Sequence, residues 1–450
     1  MLIKSRRDFL KKAMMSAGAF GALGKFGEMA GLAAGPIPSN NNPYQALVCI
    51  FLAGGNDGHN TVIPITTAQQ NYSLYAQGRQ SLALPQGSLL PIANGNDTYG
   101  LHPKLGGLQA LYNSGVCAVM ANVGMLVKPI DRPTYLTNNA ALVPAQLFSH
   151  SDQVSQWQTT VPDGSAATGW GGMIEDLMAS NANAGAAFSP ITATSGCGLF
   201  CTGQQTFAST VPVGGASLLT GATGGRLPAV QQLMTFDNGL KLVQAANATF
   251  TRGVGFSQAL NSALATAKVN TPFPPTLIGQ QLQTVAKIIS IQGALGVNRQ
   301  IFFCQLGGFD THSNELTDQD NLLGQLAPAI AAFYAATQEL LVDKMVTTFT
   351  ASEFGRTLQP NGNGGTDHAW GSHHFVVGGS VKGGQFYGQF PLLALAGPND
   401  ANSRGTLIPT TAVAQYAATM AQWFGVPVGN LQGVFPKIGN FGTSDLGFMG

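Results

Sequence analysis

Ala46-Leu47-Val48-Cys49-Ile50-Phe51-Leu52-Ala53, followed at once by Gly54-Gly55-Asn56-Asp57-Gly58-His59-Asn60-Thr61, is the stretch that sets the fold class. Its apolar run does not alternate with polar residues, which suits a strand covered on both faces. The glycines after it let the chain turn tightly around a single carboxylate. Similar apolar runs, each bounded by glycine or polar turns, predict further strands at 116–122, 301–306, 345–351, 375–377 and 392–396. Helical periodicity fills the intervals. Leu326, Ile330, Phe333 and Thr337 share one face, as do Ile278, Leu282, Val285 and Ile289. Strands alternating with helices predict an α/β fold, a mainly parallel sheet sandwiched by helices. From about 164 to 276 the pattern shifts to a Gly/Ser/Thr-rich region with two helical stretches, which reads as an inserted cap. No internal repeat is visible.

At the N-terminus, Ser5-Arg6-Arg7-Asp8-Phe9-Leu10-Lys11 places paired arginines ahead of an apolar stretch at 13–24 that is too short to span a bilayer. A small-residue run at 30–35 offers a cleavage site. The expected organisation is a twin-arginine signal at 1–34 and an α/β domain at 35–450, exported through the twin-arginine translocase to the periplasm or secreted. That route carries folded proteins, so a cofactor inserted in the cytoplasm would travel with the chain. No later segment has the apolar length of a membrane span.

Only 9% of the 450 residues are charged, against roughly 25% in typical soluble chains, while glycine reaches 58. Without the leader, 15 basic residues face 18 acidic ones, a net charge of −3. No basic footprint for nucleic acid remains. Five cysteines are too few for a disulfide scaffold, although Cys197 and Cys201 lie close enough in a turn-like stretch for a local bridge. Cys49, Cys117 and Cys304 sit inside apolar runs and read as buried hydrophobes.

Open α/β sheets bind ligands at the carboxyl ends of their strands, and three polar clusters fall there. The first holds Asp57, although Asn, Asp and Gly also make plain turns. The second, Gly307-Gly308-Phe309-Asp310-Thr311-His312-Ser313, puts a carboxylate and an imidazole two residues apart at a strand exit, where both can reach one cation. The third runs from Ser352-Glu353-Phe354-Gly355-Arg356-Thr357 through a glycine-rich loop to Thr366-Asp367-His368-Ala369-Trp370-Gly371-Ser372-His373-His374. Four of the seven histidines lie in the last two clusters. His373 and His374 precede a strand and read equally well as structural residues.

FLAGGNDGHNTVIP, LFSHSDQVSQWQT, GGFDTHS and SEFGRT with GTDHAWG together resemble the twin-arginine-exported proteins called domain of unknown function 1501. The resemblance runs from about residue 45 to the C-terminus and is weakest at 180–300. It implies an alkaline phosphatase-like fold, since the family is grouped with sulfatases and alkaline phosphatases. Those enzymes hold one or two divalent metals at the carboxyl edge of a parallel sheet and hydrolyse phosphate or sulfate esters. The family's own reaction is not established, so the resemblance supplies a fold more firmly than a function.

Carried over, the resemblance implies metal ligation by Asp57, by Asp310 with His312, and by Asp367 with His368, with His373 or His374 as a further ligand. An alternative alignment makes Glu353 the ligand, with Phe354 where sulfatases carry a histidine. Zinc suits the His/Asp mixture, and manganese, calcium or magnesium a carboxylate-rich site. Ser149, ahead of a short helix, is the candidate nucleophile and Ser151 its competitor, although a serine there also serves as an ordinary N-cap. Arg356 is a candidate clamp for an oxyanion, or a partner for Glu353. No Cys-x-Pro-x-Arg motif marks a formylglycine sulfatase, and no G-x-G-x-x-G follows the first strand. The expected function is metal-assisted hydrolysis of a small phosphoric or sulfuric ester. The competing class is a non-catalytic envelope protein that binds or assembles on the same scaffold.

Overall fold

The computed structural model describes residues 43–450, apart from 180, 185, 187, 216–224 and 238. The expected signal at 1–34 lies outside the described residues.

Twelve strands form two sheets among the described residues: β1 (Gln45–Ala53), β2 (Val62–Thr66), β3 (Leu90–Asn94), β4 (Asp97–Leu101), β5 (Cys117–Gly124), β6 (Ile191–Ala193), β7 (Ser209–Thr210), β8 (Arg299–Gly307), β9 (Val346–Ala351), β10 (Ser372–Val377), β11 (Phe386–Tyr387) and β12 (Thr411–Ala412). The main sheet runs β11-β5-β10-β9-β1-β8-β6-β7, with β12 also on β5. β1 lies between β8 and β9 and is parallel to both, whereas β10 runs antiparallel to β5 and β9. The sheet is therefore mixed and mostly parallel, with helices on both faces.

The burial of β1 explains its unbroken apolar sequence. Ala46, Val48, Ile50 and Leu52 enter one core, while Leu47, Cys49 and Phe51 enter the other. Each large side chain so buried contributes about 1.5–3 kcal/mol. Helix α1 (Tyr72–Arg79) places Tyr75 in a third, smaller cluster with Ile63 of β2. The second core is closed by α2 (His150–Thr159), α3 (Trp170–Ala179) and α7 (Val413–Phe424), through Trp157, Trp170, Ile174, Tyr416 and Phe424. The first is closed by α5 (Leu277–Ser290) and α6 (Glu315–Glu339), whose predicted faces are buried. Helix α4 (Lys241–Leu264) adds Leu260 to that same core.

Two expectations need correction. The stretch at 164–276 is not a cap throughout, because α3 closes the second core and β6 and β7 extend the main sheet. Its glycines serve close packing: a Cβ on Gly169 or Gly172 would come within 2.1 Å of the 199–203 backbone. The Cys197–Cys201 disulfide ties that segment. Residues 392–396 are not a strand either. Asn399, Gln70 and Asp400 side chains accept the N–H groups of Leu392, Leu393 and Ala396, and Ala396 is left-handed at φ 56°. The free cysteines Cys49, Cys117 and Cys304 are buried, as expected.

Candidate functional site

Because β1, β5, β8 and β9 run parallel and β10 opposes them, the loops after β1, β8 and β9 and the loop entering β10 share one edge. Two glycines let these loops touch. A Cβ on Gly54 would lie 2.2 Å from Asp310 N, and one on Gly365 would lie 2.1 Å from His312 C. Any larger residue would push the 310–312 turn away from its neighbours.

The edge gathers His150, from the first turn of α2, with Asp310, His312 and His368. Asp310 Oδ1 is 3.4 Å from His150 Nε2, 3.1 Å from His312 Nε2 and 3.4 Å from His368 Nε2. The last two nitrogens are 3.0 Å apart. Ligand atoms of His150, Asp310 and His368 all lie within 4.8 Å of one another.

Hydrogen bonds behind the rings orient them. His368 Nδ1 donates to the Phe148 carbonyl at 2.8 Å, and His150 Nδ1 donates to Glu353 Oε1 at 2.9 Å. A neutral imidazole that donates from Nδ1 carries a lone pair on Nε2. In that neutral form both lone pairs would face Asp310. His150 Nε2 is buried and makes no hydrogen bond of its own. His312 Nδ1 faces Asp367 Oδ1 at 3.6 Å, and Asp367 is held by Arg404 at 2.6 Å.

These donors fit a metal. Ligand atoms at about 2.0–2.1 Å from a tetrahedral zinc stand about 3.3–3.4 Å apart, close to the 3.0 Å between the His312 and His368 nitrogens and the 3.1–3.4 Å from Asp310 Oδ1 to each Nε2. A carboxylate behind a ligating imidazole is the usual outer partner, and Glu353 and Asp367 occupy that place for His150 and His312.

Charge favours the same state. Partial burial raises the Asp310 carboxyl, but the Arg356 hydrogen bond and charge outweigh it and hold it below the usual carboxylate range. Asp367 is held down in the same sense, with Arg404 outweighing burial. Burial lowers His368, as does the nearby Arg356 charge, despite its bond to the Phe148 carbonyl.

The other expected residues lie elsewhere or act differently. Arg356 is fully buried. It donates to the carbonyls of Gly54, Gly55, Phe309 and Thr366 and pairs with Asp310 Oδ1. It ties loops together and is not presented to a ligand, which corrects its reading as an oxyanion clamp. Its carboxylate partner is Asp310, not Glu353. Ser149 precedes α2, but its Oγ donates to Asp152 Oδ2 at 2.5 Å and does not cap the helix; Ser151 Oγ lies 3.2 Å away. Both neighbours of Ser149 touch the cluster, Phe148 through its carbonyl and His150 through its ring.

Asp57 is outside the cluster. Its side chain is fully buried, accepts from His59 N at 3.0 Å and pairs with Arg79 at the end of α1. His373 is also buried, accepting at Nδ1 from Asn122 N at 3.1 Å and stacking on Phe390. Burial pushes His373 and His374 down to about 3. The candidate ligand that sequence reasoning missed is His150. The LFSHSDQ segment carries it, between the two serines that drew the nucleophile reading.

Together these features define an α/β protein with a His/Asp cluster at the carboxyl edge of its sheet. Residues 226–419 match the family described as "Protein of unknown function (DUF1501)". The resemblance read from the motifs is thus shown over a span that holds Asp310, His312, Glu353, Arg356, Asp367 and His368. No curated protein matches the chain. Among solved structures, i-CgsB in complex with k-i-k-neocarrahexaose is 8% identical over 89% of this chain and 77% of its own, at TM-score 0.36. The lipoteichoic acid synthase LtaP from Listeria monocytogenes is 6% identical over 87% and 74%, at 0.35. The PsFucS1 sulfatase from Pseudoalteromonas sp. is 9% identical over 94% and 72%, at 0.34. Likenesses this weak carry no functional weight.

Proposed function

We propose that this protein is an exported, metal-dependent hydrolase of small phosphoric or sulfuric esters, with His150, His312, His368 and Asp310 holding one divalent cation. The observation that carries the reading is the convergence of three imidazole Nε2 atoms within 3.1–3.4 Å of one carboxylate oxygen. Three imidazoles and one carboxylate suit zinc better than magnesium, calcium or manganese, which prefer oxygen ligands. A bound divalent ion would supply Lewis acidity toward an ester oxygen.

The chain's own groups support the rest. The uncapped N-terminus of α2 offers N–H groups and a positive dipole end to an anionic ester. Ser149 Oγ attacks phosphorus or sulfur as its proton passes to Asp152 Oδ2, the ester oxygen leaves with its alkyl or aryl group and takes a proton from water, and a second water then hydrolyses the seryl ester to release phosphate or sulfate and restore Ser149. Water is the alternative nucleophile. Glu353 and the Phe148 carbonyl hold the two rings in the tautomer that a cation requires. Export rests on the Ser5–Lys11 signature and the twin-arginine translocase that reads it.

One observation favours the second reading, a metal-binding envelope component without turnover: Arg356, the expected anion clamp, is buried and fully engaged. Metal analysis of periplasmic protein, followed by aryl phosphate, phosphodiester and aryl sulfate substrates with and without chelator, separates the two. Turnover that chelator abolishes supports the hydrolase. Bound metal with no turnover on any ester supports the binding protein, and metal-free protein defeats both.

A further inference from the structure

Behind the imidazole cluster the same sheet edge holds a second pair of carboxylates, Asp57 and Glu315, both wholly buried. Buried carboxylates in contact cannot both stay ionised unless positive charge lies between them. Arg79 supplies it. Its Nη2 pairs with Asp57 Oδ2 and lies 3.6 Å from Glu315 Oε1, an oxygen with no hydrogen-bond partner of its own. Nε donates to Asn60 Oδ1 at 2.9 Å, and Nη1 to the Thr357 and Leu358 carbonyls at 2.9 and 3.2 Å. The guanidinium is enclosed on every side and has no route to solvent within this packing.

We infer that the Asp57–Glu315 pair is a cation site filled permanently by the Arg79 guanidinium, so that the metal centre takes one ion and not two. This rests on the proposed metal reading and adds its stoichiometry. Both Asp57 oxygens are committed, Oδ1 to His59 N and Oδ2 to Arg79. Glu315 Oε2 accepts from Thr366 Oγ1 at 2.8 Å, immediately before Asp367 and His368. One guanidinium does not balance two carboxylates, and the residual charge favours proton uptake by Glu315. Burial, then the charge of Asp57, push Glu315 up to about 7 against the pull of Arg79. The buried guanidinium, together with a raised Glu315, leaves this pair little negative charge with which to recruit a metal. Arginine stays protonated at any physiological pH, so the site does not open.

The test counts zinc per chain after dialysis against excess zinc, by elemental analysis and native mass spectrometry of the full protein. The wild type should hold one equivalent. Asp57→Asn should keep that equivalent with unchanged affinity, and Asp310→Asn should lose it. Two equivalents in the wild type, or loss of an equivalent in folded Asp57→Asn, overturn the inference while leaving the metal reading intact. No zinc in the wild type overturns the metal reading itself and the inference with it. If Asp57→Asn does not fold, the wild-type count decides alone.

Discussion

The chain writes nearly the same phrase twice. Gly54-Gly55-Asn56-Asp57-Gly58-His59 comes after β1, and Gly307-Gly308-Phe309-Asp310-Thr311-His312 comes at the end of β8, its parallel neighbour. Each carboxylate is paired with a buried arginine, Arg79 in one case and Arg356 in the other. Their fates differ. The Asp57 side chain is fully buried, whereas those of Asp310 and His312 are 49% and 45% exposed. The elements that cover each phrase decide the outcome. Asp57 N-caps a one-turn helix, Gly58–Thr61, that seals it under α1, while Asp310 meets three imidazoles at the rim. A strand leading into G-G-x-D-x-H therefore specifies position on the sheet, and its cover specifies whether the carboxylate is structure or site.

The largest test of that contrast removes the buried carboxylate. Asp57→Ala strips the buried Arg79 of its closer carboxylate, leaving only Glu315 at 3.6 Å, and should cost up to about 3–5 kcal/mol in urea unfolding. His312→Ala, in the exposed copy, should change stability by no more than about 0.5 kcal/mol while weakening zinc binding. Equal losses of stability would erase the distinction.

Next comes Glu353→Gln. It keeps the shape of the side chain and weakens the acceptor behind His150, so zinc affinity measured by competition with a chelating dye should fall about 10–100-fold. Near-native thermal stability should accompany the loss; an unchanged affinity would remove Glu353 from its orienting role.

The imidazole of the buried copy sharpens the comparison through pH. Burial, and then Arg79, push His59 down to about 3. An unfolded chain takes up that proton near pH 6.5, so the unfolded state binds more protons across the window between. Stability from this group is present above pH 6.5 and is lost as pH falls toward 3. The gap between wild type and His59→Gln should shift in the variant's favour by about 1.4 kcal/mol per pH unit below 6.5. Urea midpoints of metal-free protein at pH 7.5, 6.5 and 5.5 measure it, and parallel curves would contradict it.

The smallest effect belongs to Arg404→Ala, at the rim beyond Asp367. This exposed pair should be worth less than about 1 kcal/mol, and zinc affinity should fall only slightly because His312 keeps its other contacts. A loss as large as that of Glu353→Gln would make Arg404 part of the centre.

Much of this is legible in the sequence. Unbroken apolar runs reveal β1, β5, β8 and β9, because strands covered on both faces need no polar alternation. The stripes from Ile278 and Leu326 reveal α5 and α6. The small antiparallel sheet β2-β4-β3 leaves no such trace: its strands are five residues long and interrupted by Pro64, Pro91 and Gly100, so local pattern carries little of its stability. Residues 392–396 mislead in the opposite sense, being apolar but bonded to side chains. At the site, Asp310, His312, Asp367 and His368 are legible because charge is scarce in this chain and clusters there. His150 is not, being a lone imidazole between two serines. Arg79 is not either, since nothing in Tyr72–Arg79 shows which carboxylate a helix-terminal arginine will meet.

The central claim is that His150, His312, His368 and Asp310 form one metal centre. Diffraction from crystals grown with zinc, recorded on both sides of the zinc absorption edge, tests it most directly. The account predicts a single strong anomalous peak among the three Nε2 atoms and Asp310 Oδ1, at about 2.0–2.2 Å from each. An anomalous map with no peak there, or with its peak beside Asp57 and Glu315, would contradict it.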